Sequence, residues 1–171
     1  IRSIDTLVID EISMVRADLL DAVDSVLRRF RKNNLPFGGV QMVMIGDLGQ
    51  LAPVAKDDEW QMLSRYYATP YFFSSLALQR TRYAIVELTK VYRQSDKRFL
   101  DILNKVRENR ADAAVLSTLN SRYIPDFKPR KEDGYIRLTT HNWQAQRIND
   151  HELELLPGKP YTYTATIEGK Y

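Results

Sequence analysis

The chain has 171 residues, enough to bury a core in one domain or one and a fraction, and its charge is mixed, with 25 Lys and Arg against 22 Asp and Glu. It has no cysteine, which excludes disulfides and cysteine-based metal sites and fits a reducing compartment. No apolar run approaches a membrane span, the opening IRSIDT lacks a signal-peptide layout, and a net charge of +3 permits a nucleic-acid partner without demanding one.

In chain order, residues 4–9 read as a β-strand, a β-branched and apolar run that ends on Asp10-Glu11. A chain opening almost directly on such a strand is expected to begin mid-domain. Residues 16–32 form an amphipathic helix with Leu19, Leu20, Val23, Val26, Leu27 and Phe30 on one face, and Ser13 is its expected cap. Asn33-Asn34 and Pro36 end it, and Gly38-Gly39 turn into a second strand at 40–45. Such a unit predicts parallel strands, and runs of this composition suit burial on both faces of a sheet. Residues 46–58 read as a loop and 58–67 as a short helix, with further short strands at Tyr71–Phe73 and Ala84–Leu88. Helices follow at 96–109, with Phe99, Ile102, Leu103 and Val106 inward, and at 111–123. A connection at 124–134 leads to a strand at Tyr135–Thr139, a helix at 142–156 capped by Asn142, and a strand at 160–166.

The chemistry gathers where the first two strands end. In an open α/β sheet, ligands bind at the carboxyl edge of the strands. There Asp10 and Glu11 can divide two tasks, one carboxylate holding Mg²⁺ and the other orienting or deprotonating a water. The second run, VQMVMIGDLGQLAPV, adds Asp47 and Gln50 to the same edge. Gln50 carries both a donor and an acceptor, so it can sense a phosphate oxygen and an attacking water together. Arg28, Arg29, Arg31 and Lys32 sit at a helix C-terminus, where they complement its dipole or meet a DNA phosphate. Thr140-His141-Asn142 lies between a strand and a helix, as a cap or as a contact to single-stranded DNA. His141 and His151 have no zinc-like spacing.

These motifs resemble a known family. LVIDEISMV is similar to the Walker B motif of a superfamily 1 helicase, and PFGGVQMVMIGDLGQLAPV resembles motif III of the PIF-one-type DNA helicases, relatives of the RecD-type enzymes. The helix from Asp18 to Arg31 resembles that family's signature helix, and ELTKVYRQSDKRFLDILNKVREN its motif IV. IRLTTHNWQAQRIND and TYTATIEGKY are similar to segments of its second motor domain. Single motifs of this kind are weak; their order and spacing along the whole chain are specific.

The resemblance implies an α/β, RecA-like P-loop NTPase fold: an incomplete first motor domain over 1–88 and the start of a second over 89–171. It implies an ATP-dependent DNA helicase that moves 5′ to 3′ on single-stranded DNA and opens duplex junctions, with ATP and Mg²⁺ as cofactors. It further implies work in DNA repair, recombination and telomere maintenance, in a bacterial cytoplasm or a eukaryotic nucleus. Asp10 would hold the metal, Glu11 activate water, Gln50 read the γ-phosphate and Arg93 reach the phosphates from the second domain; Arg28, Arg31, Thr140, His141 and Asn142 would contact DNA. The chain departs from the pattern in lacking G-x-x-x-x-G-K-[ST] and motifs V and VI, so alone it is expected not to hydrolyse ATP at a useful rate. Leu48-Gly49 and Ala52-Pro53 stand where the family more often has an aromatic and Pro-Pro, so no aromatic contact is carried over to this loop. The other classes open at this point are a RecD-type subunit of a recombination nuclease, a non-hydrolysing ATP-binding scaffold and a Mg²⁺-dependent nuclease.

Overall fold

The computed structural model describes every residue except Arg93, Lys170 and Tyr171, and of Lys131 the backbone alone. It forms two compact units, Ile1–Asn120 and Ser121–Tyr171.

In the first unit, β1 (Thr6–Ile9) and β2 (Gln41–Met44) pair in parallel, with Thr6 opposite Gln41 and Ile9 opposite Met44. A parallel pair needs a crossover, and α1 (Ala17–Arg31) supplies it. The pleat sends alternate side chains to one face. Leu7, Ile9, Met42 and Met44 thereby pack against a core of Leu20, Leu27, Phe37, Val40, Ala77 and Leu78. Burial on both faces was expected, but only one is covered: Val8 remains 56% exposed. Among the described residues the sheet has two strands, and a second buried face requires a further layer.

The inward face of α1 is narrower than its apolar pattern. Leu20 and Leu27 are buried and Val23 partly so, whereas Leu19, Val26 and Phe30 are exposed. Asp24 takes a place in the buried stripe instead, at 3% exposure. Its Oδ1 accepts the Phe37 amide at 2.6 Å, in the 3-10 turn Pro36–Gly39 that leads into β2. A buried carboxylate is tolerated only when it is hydrogen-bonded in this way.

Ser13 does not cap α1. The helix begins at Ala17 after a 3-10 turn, Ile12–Met14, and the Ala17 amide is taken by the Pro70 carbonyl at 2.9 Å. Arg16, at the cap position, instead pairs with Asp18 and Glu59, both at 2.7 Å. The Ser13 hydroxyl is buried without a hydrogen-bond partner among the described residues.

Four expected strands are absent. Tyr71 leads into a 3-10 turn, Phe72–Ser74, and then the short α3 (Leu76–Gln79), because polar groups here favour a helix start. Ser75 Oγ accepts the Leu78 amide. Asp21, from α1, accepts the Leu76 and Ala77 amides, the Ser75 hydroxyl at 2.6 Å and the Tyr67 hydroxyl at 2.9 Å. Burial pushes the Asp21 carboxyl up, but these four donors outweigh it and hold it below the usual carboxylate range. Residues 84–88, 135–139 and 160–166 are irregular. Their apolar residues carry strand propensity, but a strand needs a ladder partner that propensity does not provide.

α2 (Asp57–Leu63), α4 (Lys97–Arg107) and α5 (Ala113–Asn120) complete the first unit, close to where they were expected. Asp96 caps α4, accepting the Arg98 and Phe99 amides. Of the residues expected inward on α4 only Ile102 is buried; Phe99, Leu103 and Val106 are exposed. The second unit contains a 3-10 turn, Lys131–Asp133, and α6 (Asn142–Glu154). His141, not Asn142, holds the cap position of α6, without a side-chain cap bond. Among the described residues no helix is long and apolar enough to cross a membrane.

Candidate active site

Parallel pairing decides the site. Because Ile9 lies opposite Met44, the chain leaves β1 and β2 at the same edge. The ladder continues into both loops: the Ile45 amide donates to the Ile9 carbonyl at 2.9 Å, and the Ile12 amide to the Ile45 carbonyl at 2.9 Å. Gly46 makes this approach possible. A Cβ there would stand 2.9 Å from Ile12 Cγ2, 3.0 Å from the Ile12 nitrogen and 3.1 Å from the Ser13 nitrogen. The loop carrying Asp10 and Glu11 therefore lies directly against the loop carrying Asp47 and Gln50.

Glu11 stands in the left-handed region, with φ 51° and ψ 41°. For a residue with a Cβ this conformation costs about 1–2 kcal/mol, a form of strain concentrated at functional turns. It is held partly by Asp10, whose Oδ1 accepts the Glu11 amide at 2.9 Å. Both residues are exposed, and among the described residues neither Asp10 Oδ2 nor the Glu11 carboxylate has a protein partner. Free carboxylate oxygens open to water are the donor chemistry that Mg²⁺ takes, since it keeps several waters and binds through one or two carboxylates. The residues fit that ion.

The second loop is ordered around Asp47. Its Oδ1 accepts the Gly49 amide at 2.9 Å, its Oδ2 accepts Gln50 Nε2 at 3.0 Å, and its carbonyl accepts the Gln50 amide at 3.0 Å. Arg107 of α4 forms an ion pair with the same Oδ2. Arg107, then Gln50 and the Gly49 amide, hold the Asp47 carboxyl at about 2. With one Nε2 hydrogen engaged, Gln50 keeps its Oε1 as an acceptor.

The remaining candidate residues lie elsewhere. Arg31 is committed to the fold: Nε donates to the Gly38 carbonyl at 2.9 Å, and Nη1 to the carbonyls of Arg2 and Ile4 at 2.9 and 2.7 Å. Arg28 leans on Asp24 at 3.4 Å and is about a third exposed. Thr140, His141 and Asn142 belong to the second unit, where Thr140 Oγ1 and His141 Nδ1 share a hydrogen bond of 2.8 Å. Arg93 lies outside the described residues. Sequence reading missed Asp21, Asp24, Gly46 and Arg107. Asp24 was detectable as a carboxylate in the Leu20–Leu27 stripe, whereas Arg107 had no local signal.

The chain is also similar to known proteins. The family model described as PIF1-like helicase matches residues 1–115. The chain belongs to this family. The human ATP-dependent DNA helicase PIF1 is 39% identical over 162 residues, covering 93% of this chain and 23% of that protein. The Saccharomyces cerevisiae ATP-dependent DNA helicase RRM3 is 35% identical over 164 residues, covering 93% and 21%. Among solved structures, a Bacteroides Pif1 helicase in complex with ADP-AlF3 and ssDNA superposes with a TM-score of 0.81 at 38% identity, over 92% of this chain and 37% of that one. The α/β, RecA-like fold class read from the sequence therefore holds. This PIF1-like chain spans under a quarter of the length of those two curated relatives.

Proposed function

We propose that this PIF1-like chain supplies one wall of the nucleotide site of an ATP-dependent DNA helicase, with residues 1–88 in the first motor domain and 89–171 beginning the second. The observation that carries the proposal is the edge where Asp10-Glu11 and Asp47-Gln50 adjoin, brought together by the parallel register and the close approach at Gly46. Relatives named as ATP-dependent DNA helicases, and a similar structure holding ADP-AlF3 and ssDNA, support it.

Asp10 would hold Mg²⁺ through its free oxygen. Bound there, Mg²⁺ would supply neutralisation of phosphate charge. Glu11 accepts the proton of the attacking water, and its exposed carboxylate is open to that water. Gln50 presents Oε1 to the water, and the second N–H of Nε2, beyond the one given to Asp47, to a γ-phosphate oxygen. Arg93 stabilises transition-state charge from the second domain, a task suited to a permanently charged, forked donor. Arg28, Thr140, His141 and Asn142 meet the DNA strand; Arg31 joins them only by releasing its carbonyl partners. Translocation runs 5′ to 3′ with opening of duplex junctions, in DNA repair, recombination or telomere maintenance, in the cytoplasm of a bacterium or the nucleus of a eukaryote.

The deciding experiment is Glu11→Gln in the whole protein. Turnover falls by roughly 10²–10⁴-fold, the contribution of a general base, while nucleotide affinity is retained. Asp10→Asn instead weakens Mg²⁺-dependent nucleotide binding. Wild-type turnover in Glu11→Gln overturns the assignment.

A further inference from the structure

One contact at the candidate site arrives from far along the chain. Arg107, the last residue of α4, donates from Nη2 to Asp47 Oδ2, sixty residues away in sequence. Its stem lies across Gly49, where a Cβ would stand 3.1 Å from Arg107 Cγ and 3.2 Å from Nε. The neighbouring cations are engaged locally: Lys105 pairs with Asp101, and Arg110 with Glu108. Arg107 alone of these three reaches the loop after β2. The Asp47 side chain is 24% exposed, whereas Leu48, Gly49 and Gln50 around it are open to solvent.

We propose that Arg107 is a positioning residue for Gln50, acting through Asp47. Three donors converge on one carboxylate: the Gly49 amide on Oδ1, and Gln50 Nε2 and Arg107 on Oδ2. An ionised carboxylate only accepts, so Gln50 presents an N–H to Asp47, which leaves its oxygen and its second N–H for the site. Arg107 keeps the carboxylate in the rotamer that serves Gly49 and Gln50 together, and its stem closes over the loop. The Gln50 amide thus takes its orientation from α4, which lies inside the motif IV stretch. A shift of α4 against β2 would be transmitted to Gln50 by a chain of contiguous hydrogen bonds. The functional weight of this link rests on the reading of Gln50 as the γ-phosphate sensor.

The test uses the 171-residue chain, ¹⁵N-labelled, as wild type, Arg107→Ala, Arg107→Lys, Asp47→Asn and the Asp47→Asn/Arg107→Ala double variant. Water exchange of the Gly49 and Gln50 amides, and the shifts of the Gln50 side-chain NH₂, are read by NMR. Arg107→Ala is expected to speed both amides about two- to fivefold, the range an exposed ion pair supplies, and to move the Gln50 NH₂ towards its shift in an unstructured peptide. Arg107→Lys restores part of the effect, because an ammonium keeps the charge but not the fork. In the Asp47→Asn background Arg107→Ala adds nothing further. Unchanged Gly49 and Gln50 signals in Arg107→Ala, or an equal response with Asp47 already replaced, overturn the proposal. DNA-stimulated hydrolysis by Gln50→Ala in the whole protein separates the two readings. If it matches wild type while the NMR responses appear, the positioning link stands and the sensor role of Gln50 falls.

Discussion

Gly46→Ala tests whether the two motif loops are in contact. The added methyl would sit 2.9 Å from Ile12 Cγ2, 3.0 Å from the Ile12 nitrogen and 3.1 Å from the Ser13 nitrogen. Ordinary contact needs about 0.4 Å more, and two of the three neighbours are backbone atoms that cannot rotate away. The Ile12 amide is tied to the Ile45 carbonyl at 2.9 Å, so moving Ile12 stretches the bond joining the loops. Overpacking of this kind costs about 1–3 kcal/mol. The lost flexibility of the unfolded chain returns about 0.4–1 kcal/mol. The net is roughly 1–2 kcal/mol, or about 2–8 °C in melting temperature for a chain of this size. Gly49→Ala is the internal comparison, because its methyl meets chiefly the Arg107 side chain, which can swing aside. Thermal unfolding followed by circular dichroism ranks wild type, Gly49→Ala and Gly46→Ala, with Gly46→Ala least stable. In the whole protein Gly46→Ala also loses Mg²⁺-dependent nucleotide affinity, since Asp10 follows the displaced loop. A melting temperature for Gly46→Ala equal to that of Gly49→Ala refutes the close approach.

Further outcomes follow from individual contacts. Asp21→Ala removes the acceptor of four donors, including the fully buried Ser75 hydroxyl, and lowers stability by on the order of 3 kcal/mol in chemical denaturation. Arg31→Ala loses four backbone carbonyl contacts and lowers stability by about 2 kcal/mol; Arg31→Lys separates the fold role from DNA binding, because a phosphate contact tolerates lysine and the clamp does not. Asp47 is held at about 2 against an ordinary value of 3.8, so its contribution is complete above the ordinary value and is lost as pH falls through about 2. Water reaches the pair, with Arg107 52% exposed, and screening limits the contribution to about 1 kcal/mol or less. The stability gap between wild type and Arg107→Ala, measured by urea unfolding at several pH values, should close between pH ~4 and ~2.

What the sequence determined by itself was the local chemistry and its order. The Leu7–Ile9 run ending on Asp10-Glu11, and the second run ending on Gly46-Asp47, mark strand ends with polar residues poised at an edge, because an apolar β-branched run that stops at an acid can do little else in a sheet. The long helix followed from its 3.6-residue pattern for the same kind of reason. Tertiary structure decided which faces of those elements are buried. Leu19, Val26 and Phe30 share the apolar stripe of α1 with Leu20 and Leu27, but only the latter meet β1, β2 and α3, since a helix of radius fixed by its backbone can bury only the arc its neighbours cover. It also decided the strands: residues 84–88, 135–139 and 160–166 have strand-like composition and stay irregular, because a ladder is made by two partners and composition describes one. The contacts that organise the fold and the site, Gly46 on Ile12, Asp21 on Ser75 and Arg107 on Asp47, join residues 34, 54 and 60 positions apart. No local pattern records such pairings, since each exists only once packing has brought the two segments together.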